Sequence, residues 1–157
     1  MKKTNALRLL DAAKVAYTAR EYDISDGEIS GVAVAQKLGQ SPDCVFKTLV
    51  AQGKQTGLNV FVIPSNAELD LKKAAQAAGD KSMEMIKSRD LEPQTGYVHG
   101  GCSPIGMKKA LPTFLNESAI LFDSLYVSGG KVGLQICLAR ADLQDMTGAA
   151  LWDLTKD

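Results

Sequence analysis

Two apolar segments that follow one another closely constrain the fold of this chain more than any other feature. Residues 45–51 and 58–63 are rich in Val, Phe, Leu and Ile, and a polar loop with two glycines separates them. Each segment has the length of a strand and is too short for a typical helix. Their spacing predicts an antiparallel β-hairpin with a longer loop. The rest of the chain is then expected to complete a sheet around this hairpin.

The remaining periodicity places helices between strands. Thr4, Ser30, Asp70 and Ser88 stand where helix caps are expected, and Gly39, Gly79 and Gly148 stand at predicted helix ends. We therefore expect an α+β fold with a mixed sheet and flanking helices. The predicted helices are 5–13, 31–38, 71–78, 141–147 and a short one near residue 90, and the further predicted strands are 15–22, 113–115, 120–128 and 134–138.

Composition excludes several classes of protein. A chain of 157 residues is expected to form a single compact domain, 1–157, and its 18 basic and 18 acidic residues cancel. Proteins that hold nucleic acid mainly through phosphates are usually strongly basic, so we expect no DNA binding. One histidine and three scattered cysteines predict no metal site and no disulfide framework, and nothing indicates a cofactor. No apolar run approaches the ~20 residues of a membrane helix, which predicts a cytoplasmic protein.

Lys47 is the most informative single residue. In the first hairpin strand it shares one face with Val45 and Leu49, and the opposite face is also largely apolar. An interior strand of this kind would partly desolvate the ammonium group, which then needs an anion or a polarised carbonyl as a partner. The alternative is an edge strand from which Lys47 reaches solvent.

Two glycine-rich segments are candidates for binding a ligand through the backbone. Glycine allows positive φ and close approach to a ligand, and consecutive N–H groups bind an anion or a developing oxyanion. The alternative is that both are ordinary turns. Cys102 with His99 as its base is a weaker hypothesis for a nucleophile, since no third group orients the pair. The two segments consist of Gly100, Gly101, Cys102, Ser103 and Pro104, and of Ser128, Gly129 and Gly130.

Four stretches of sequence, taken together, resemble the YbaK/EbsC family of stand-alone aminoacyl-tRNA deacylases. That family is related to the editing domain of bacterial prolyl-tRNA synthetase, and the stretches follow its order. The four are FKTLV at 46–50, IPSNAELDLKKAA at 63–75, TGYVHGGCSPIGMKK at 95–109 and YVSGGKVGLQI at 126–136. The resemblance implies a curved mixed sheet of six or seven strands with flanking helices.

The resemblance also implies an activity, namely cleavage of the ester of mischarged Cys-tRNA(Pro), and of Cys-tRNA(Cys) as a second substrate. The essential lysine of the family matches Lys47, and the two glycine segments match its loops around the ester. Tyr22 and Asp142 match a tyrosine and an aspartate of the family's pocket. The family favours a substrate-assisted route, in which the thiol of the esterified cysteine attacks its own carbonyl, and no cofactor takes part. Simple hydrolysis is the other route.

Two other functions stay open at this stage. One is deacylation of another small aminoacyl-tRNA, carrying alanine or serine, although this chain lacks the histidine that related alanine-editing domains have near the Ser-Gly-Gly turn. The other is a module that binds tRNA or a synthetase without catalysis. Because only Lys72-Lys73 and Lys108-Lys109 form basic doublets, we expect weak binding of the tRNA acceptor end. Selection of tRNA(Pro) would then come from a complex with prolyl-tRNA synthetase.

Overall fold

Eight strands in two sheets and five α-helices make up residues 2–157, the part of the chain that this computed structural model describes. The helices are α1 (Asn5–Ala12), α2 (Gly31–Leu38), α3 (Leu71–Ala78), α4 (Ser88–Thr95) and α5 (Arg140–Thr147). The strands are β1 (Tyr17–Glu21), β2 (Phe46–Gly53), β3 (Gly57–Pro64), β4 (Met83–Met85), β5 (Thr113–Asn116), β6 (Ser124–Ser128), β7 (Leu134–Ala139) and β8 (Ala150–Trp152).

The predicted hairpin forms the centre of the larger sheet. β2 and β3 are antiparallel, with Lys47 opposite Ile63. The strand order is β4-β2-β3-β5-β8, and β5 and β8 join by parallel pairing, so this sheet is mixed. The smaller sheet is antiparallel, in the order β1-β7-β6. The expected α+β class with flanking helices is therefore confirmed.

The number and grouping of the strands differ from the expected six or seven in one sheet. Two strands were not predicted, β4 and β8, because each has only three residues and such a segment carries no readable alternation. Between the two sheets, a single isolated bridge joins Val45 to Tyr126 within the described residues. Within the described residues, the two sheets are thus paired with each other only at this bridge.

Local signals explain most helix boundaries. Thr4, Ser30 and Asp70 cap α1, α2 and α3 as predicted, each accepting a hydrogen bond from a backbone N–H of the first turn. Ser88 is not a cap, because α4 already begins there and Lys87 precedes it. Part of the predicted strand 120–128 is also wrong. Glu117–Leu121 forms a 3₁₀-helix, and the strand β6 begins only at Ser124.

Buried side chains form two clusters. The larger lies between the two sheets and α1, where Leu7 and Leu10 are fully buried. Burial of one leucine stabilises a fold by about 1.5–3 kcal/mol. The smaller cluster lies under α3 and includes Phe61 and Ile63. None of the described helices is both long and apolar enough to cross a membrane.

Candidate active site

A cleft of about 330 Å³ opens where the two sheets separate. β2 and β6 meet at Val45 and Tyr126, where the Tyr126 N–H donates to the Cys44 carbonyl at 2.9 Å. Their pairing does not continue to Lys47 and Ser128, and both of these residues line the cleft. The volume of the cleft lies within the range that is usual for small-molecule sites.

Lys47 brings a positive charge to this cleft without a partner for it. β2 lies between β3 and β4, as predicted for an interior strand, but it is interior only over residues 51–53. β4 pairs only with Ala51, Gln52 and Gly53, and the strand edge beside Lys47 stays open. No described residue accepts a hydrogen bond from Lys47 Nζ or forms an ion pair with it. Partial burial lowers the pKa of Lys47, and the charge of Glu68 opposes this effect. The ammonium is therefore available to a ligand.

The Gly100–Pro104 loop contributes only part of its length to the cleft. Gly100, with φ of +83°, and Cys102 line the cleft. Ser103 and Pro104 are buried and do not line it. The Ser103 Oγ accepts a hydrogen bond from the Ile105 N–H at 3.2 Å. Gly101 faces away, because a Cβ there would lie 2.8 Å from the Val132 backbone nitrogen.

The Ser128–Gly130 turn is divided in the same way. Ser128 lines the cleft, and its Oγ accepts a hydrogen bond from the Gly130 N–H at 3.2 Å. A Cβ at Gly129 would lie 2.6 Å from Leu134 Cγ, and one at Gly130 would lie 3.1 Å from Thr4 Cβ. Both glycines are thus packed against the protein interior, and they support the cleft wall without lining it.

Of the two pocket residues suggested by the resemblance, only one reaches the cleft. Tyr22 lies just after β1 and lines it. Asp142 does not, because it lies in α5, which begins at the far end of β7. Arg140, where that helix begins, lies five residue steps of extended strand beyond Gln135, a distance of about 16 Å.

Sequence analysis missed two polar residues of the cleft, Thr48 and Gln135. The Thr48 hydroxyl and the Gln135 side-chain carbonyl are buried and have no hydrogen-bond partner in residues 2–157, and the same is true of the Tyr22 hydroxyl. All three residues line this cleft. Gln135 alternates with apolar residues in β7, a pattern typical of a strand with one polar face, but only 6% of Gln135 is exposed. The pairing of β6 with β7 reveals its position, because Gln135 lies directly opposite Ser128.

Cys102 is buried, and burial raises the pKa of its thiol to about 12. At neutral pH the thiolate fraction is then on the order of 10⁻⁴ or less. A protonated thiol is a poor nucleophile, so the geometry gives little support to covalent catalysis by Cys102.

The variant Cys102→Ser tests this directly. We expect it to keep deacylase activity within about threefold of the parent, because serine differs from cysteine by one atom and the proposed route does not use the Cys102 thiol as a nucleophile. The measurement is the initial rate on Cys-tRNA(Pro), with circular dichroism as the folding control. A folded variant that has lost its activity would instead assign the chemistry to this thiol.

Comparison with known proteins places this geometry in a family. The family model of the aminoacyl-tRNA editing domain matches residues 30–146. A protein of Enterococcus faecalis, described as a candidate Cys-tRNA(Pro)/Cys-tRNA(Cys) deacylase and called EbsC, is 47% identical over 153 residues, which cover 98% of this chain and 93% of that protein.

Solved structures share the fold. A candidate trans-editing enzyme for prolyl-tRNA synthetase superposes with a TM-score of 0.84 at 23% identity, covering 100% of both chains. A hypothetical protein superposes with a TM-score of 0.88 at 19% identity, covering 98% of this chain and 100% of the other. From the family match over most of its length and its close relative, we conclude that this chain belongs to the aminoacyl-tRNA editing domain family.

Proposed function

We propose that this protein is a cytoplasmic trans-editing deacylase, which cleaves the ester between cysteine and the terminal adenosine of Cys-tRNA(Pro) and, as a second substrate, of Cys-tRNA(Cys). Membership of the editing family and the description of the Enterococcus faecalis relative support this substrate class. The observation that carries the proposal is the unpartnered ammonium of Lys47 in a cleft between two sheets.

Lys47 acts electrostatically in this proposal. An ammonium in a partly desolvated site interacts more strongly with an anion than it would in water. It binds either a phosphate of the terminal nucleotide or the ester carbonyl, on which negative charge develops in the transition state. Gly100 and Ser128 border the same cleft and bring main-chain groups close to the ester.

The ester can be cleaved by two routes. In the substrate-assisted route, the cysteine sulfur forms a bond to its own carbonyl carbon, the bond to the ribose oxygen breaks, and the thiol proton passes to that oxygen. The products are a cyclic thioester and free tRNA. In the hydrolytic route, water supplies the nucleophile and cysteine is released. Since Cys102 is protonated and no triad is assembled here, the substrate-assisted route needs least from the protein.

A panel of substrates tests the proposal. We expect rapid deacylation of Cys-tRNA(Pro) by the purified protein and much slower deacylation of Ala-tRNA(Pro) and Ser-tRNA(Pro), since neither has a thiol to attack the ester. Mass spectrometry of the released amino acid separates the two routes only if it is done before the cyclic thioester hydrolyses. Faster turnover of the alanyl ester would favour the alternative editing activity, and binding without turnover would favour a tRNA-binding module.

Selection of the tRNA body is expected to come from a partner. Lys73 is already paired with Asp153 at 3.0 Å, and Lys108 and Lys109 donate to Pro93 and Gln94, both at 3.3 Å. The chain has no net positive charge, and a protein without an excess of cations gains little from counterion release. We infer that prolyl-tRNA synthetase presents the tRNA to this protein.

The rate ratio for Cys-tRNA(Pro) over Cys-tRNA(Cys) measures that selection. With the deacylase alone we expect a ratio within about threefold of unity, because affinity rests on few phosphate contacts. Adding prolyl-tRNA synthetase should raise the ratio about tenfold or more, which corresponds to about 1.4 kcal/mol of selective binding. A large ratio without the synthetase would show that this surface reads the tRNA body itself.

A further inference from the structure

Three of the residues that line the cleft each carry a buried polar atom without a partner. These atoms are the Tyr22 hydroxyl, the Thr48 hydroxyl and the Gln135 side-chain carbonyl, and no other buried side-chain nitrogen or oxygen in residues 2–157 lacks a partner. Buried polar groups in native proteins are nearly always paired, because leaving one unpaired costs free energy. Three such atoms around one cleft therefore indicate a ligand group that makes several hydrogen bonds.

The sheet register explains how these side chains come together. Gln135 pairs with Arg20 on one side and Ser128 on the other. The Tyr22 N–H donates to the Gly133 carbonyl at 3.0 Å, so Tyr22 continues the same ladder two residues beyond Arg20. Residues two apart share a face, which makes Tyr22 and Gln135 diagonal neighbours. Thr48 completes the set from β2.

The charge of the cleft restricts what this ligand group is. Its lining contains no carboxylate, and its titratable side chains are Tyr22, Lys47, His99 and Cys102. Arg20 pairs with Gln135 in the ladder but does not line the cleft, and it donates to the Leu38 carbonyl at 2.9 Å. A cation bound here would meet like charge with no counter-ion, which is unfavourable in a partly desolvated site.

We infer that Tyr22, Thr48 and Gln135 bind the α-amino group of the aminoacyl ester as a neutral amine; this inference rests on the proposed function. A neutral amine offers one lone pair and two N–H groups. One hydroxyl donates to the lone pair, while the Gln135 carbonyl and the other hydroxyl accept the N–H groups. An α-amino group has an ordinary pKa of about 7.7–8.0, so giving up its proton to solvent costs little near neutral pH.

Proton release on binding tests this inference without relying on catalysis. The probe is adenosine carrying L-cysteine on its 3′ position through a stable amide, and the matched control is the 3-mercaptopropionyl amide, which lacks only the amino group. Isothermal titration at pH 6.5, in buffers of different ionisation enthalpy, counts the protons released. We expect the cysteinyl probe to release about one proton more than the control. We also expect the cysteinyl probe to bind about tenfold more tightly at pH 8.5 than at pH 6.5.

Two variants assign the effect to the named side chains. Gln135→Leu should weaken binding of the cysteinyl probe about tenfold at pH 8.5 and leave binding of the control unchanged. Its midpoint of thermal unfolding should not fall, because the buried side-chain carbonyl of Gln135 has no partner to lose. Thr48→Val, which keeps the volume of the side chain, should show the same selectivity if Gln135→Leu does not fold.

Failure of the inference and failure of the proposed function give different results. A wild-type protein that does not deacylate Cys-tRNA(Pro) would overturn the proposed function. A wild-type protein that does so, yet releases equal numbers of protons with the two probes or does not bind the cysteinyl probe, would overturn the inference alone. Equal weakening of both probes by Gln135→Leu would also overturn it, since that result indicates only a structural role.

Discussion

Replacing Lys47 by alanine should lower the deacylation rate of Cys-tRNA(Pro) by a hundredfold or more while the protein stays folded. The ammonium is the one charge of β2 in the cleft and has no partner within the described residues, so nothing else replaces its electrostatic contribution. Removing such a preorganised charge typically costs about 3 kcal/mol of transition-state stabilisation. The measurement is the single-turnover rate on Cys-tRNA(Pro).

Two further variants at this position separate charge from shape. Lys47→Met keeps most of the side-chain volume without charge and should be as inactive as Lys47→Ala. Lys47→Arg keeps the charge but moves it, and should retain partial activity. Neither uncharged variant should be less stable than the parent, because burial lowers the pKa of Lys47 and so disfavours the charged side chain in the folded state. Activity of Lys47→Met close to that of the parent would remove Lys47 from the mechanism.

How far sequence predicts this fold depends on the range of the signals involved. The hairpin, the caps at Thr4, Ser30 and Asp70, and the helix ends at Gly39 and Gly79 depend on residues close in sequence, and the structure agrees with each. The division into two sheets depends on which strand edges meet over long separations. No local pattern encodes the single bridge between the sheets, so their separation was not predictable.

The site shows the same limit. Lys47 was identified because a charge within an apolar strand is a local anomaly. Gln135 was missed because it follows an ordinary alternation, and only its pairing with Ser128 and Arg20 brings it to the cleft. Asp142 was suggested through resemblance alone, and the position of α5 places it away from the cleft. A site residue that stands out in its own segment could be identified from the sequence, whereas residues that strand pairing brings to the cleft could not.

Gly101 shows how the structure changes the meaning of a motif. If Gly101 were one of the glycines that let the backbone approach the ester, a side chain there would crowd the ester and harm activity more than stability. The structure contradicts that reason, because a Cβ there would lie 2.8 Å from the Val132 nitrogen and 2.9 Å from the Lys131 Cα, both backbone atoms. The glycine allows the 100–104 loop to pack on the turn after β6, and these two segments together form one wall of the cleft.

Gly101→Val should therefore destabilise the whole protein, with activity falling in parallel. Overpacking against rigid backbone costs about 1–3 kcal/mol or more, and in a domain of this size that corresponds to a fall of several degrees in the unfolding midpoint. Gly101→Ala should be destabilised in the same way but less, because its Cβ alone meets these backbone atoms. The measurement is urea unfolding of both variants together with their rates on Cys-tRNA(Pro). If Gly101→Val were as stable as the parent but inactive, the loop would have to approach the ester from a side on which this structure shows the Lys131–Val132 backbone.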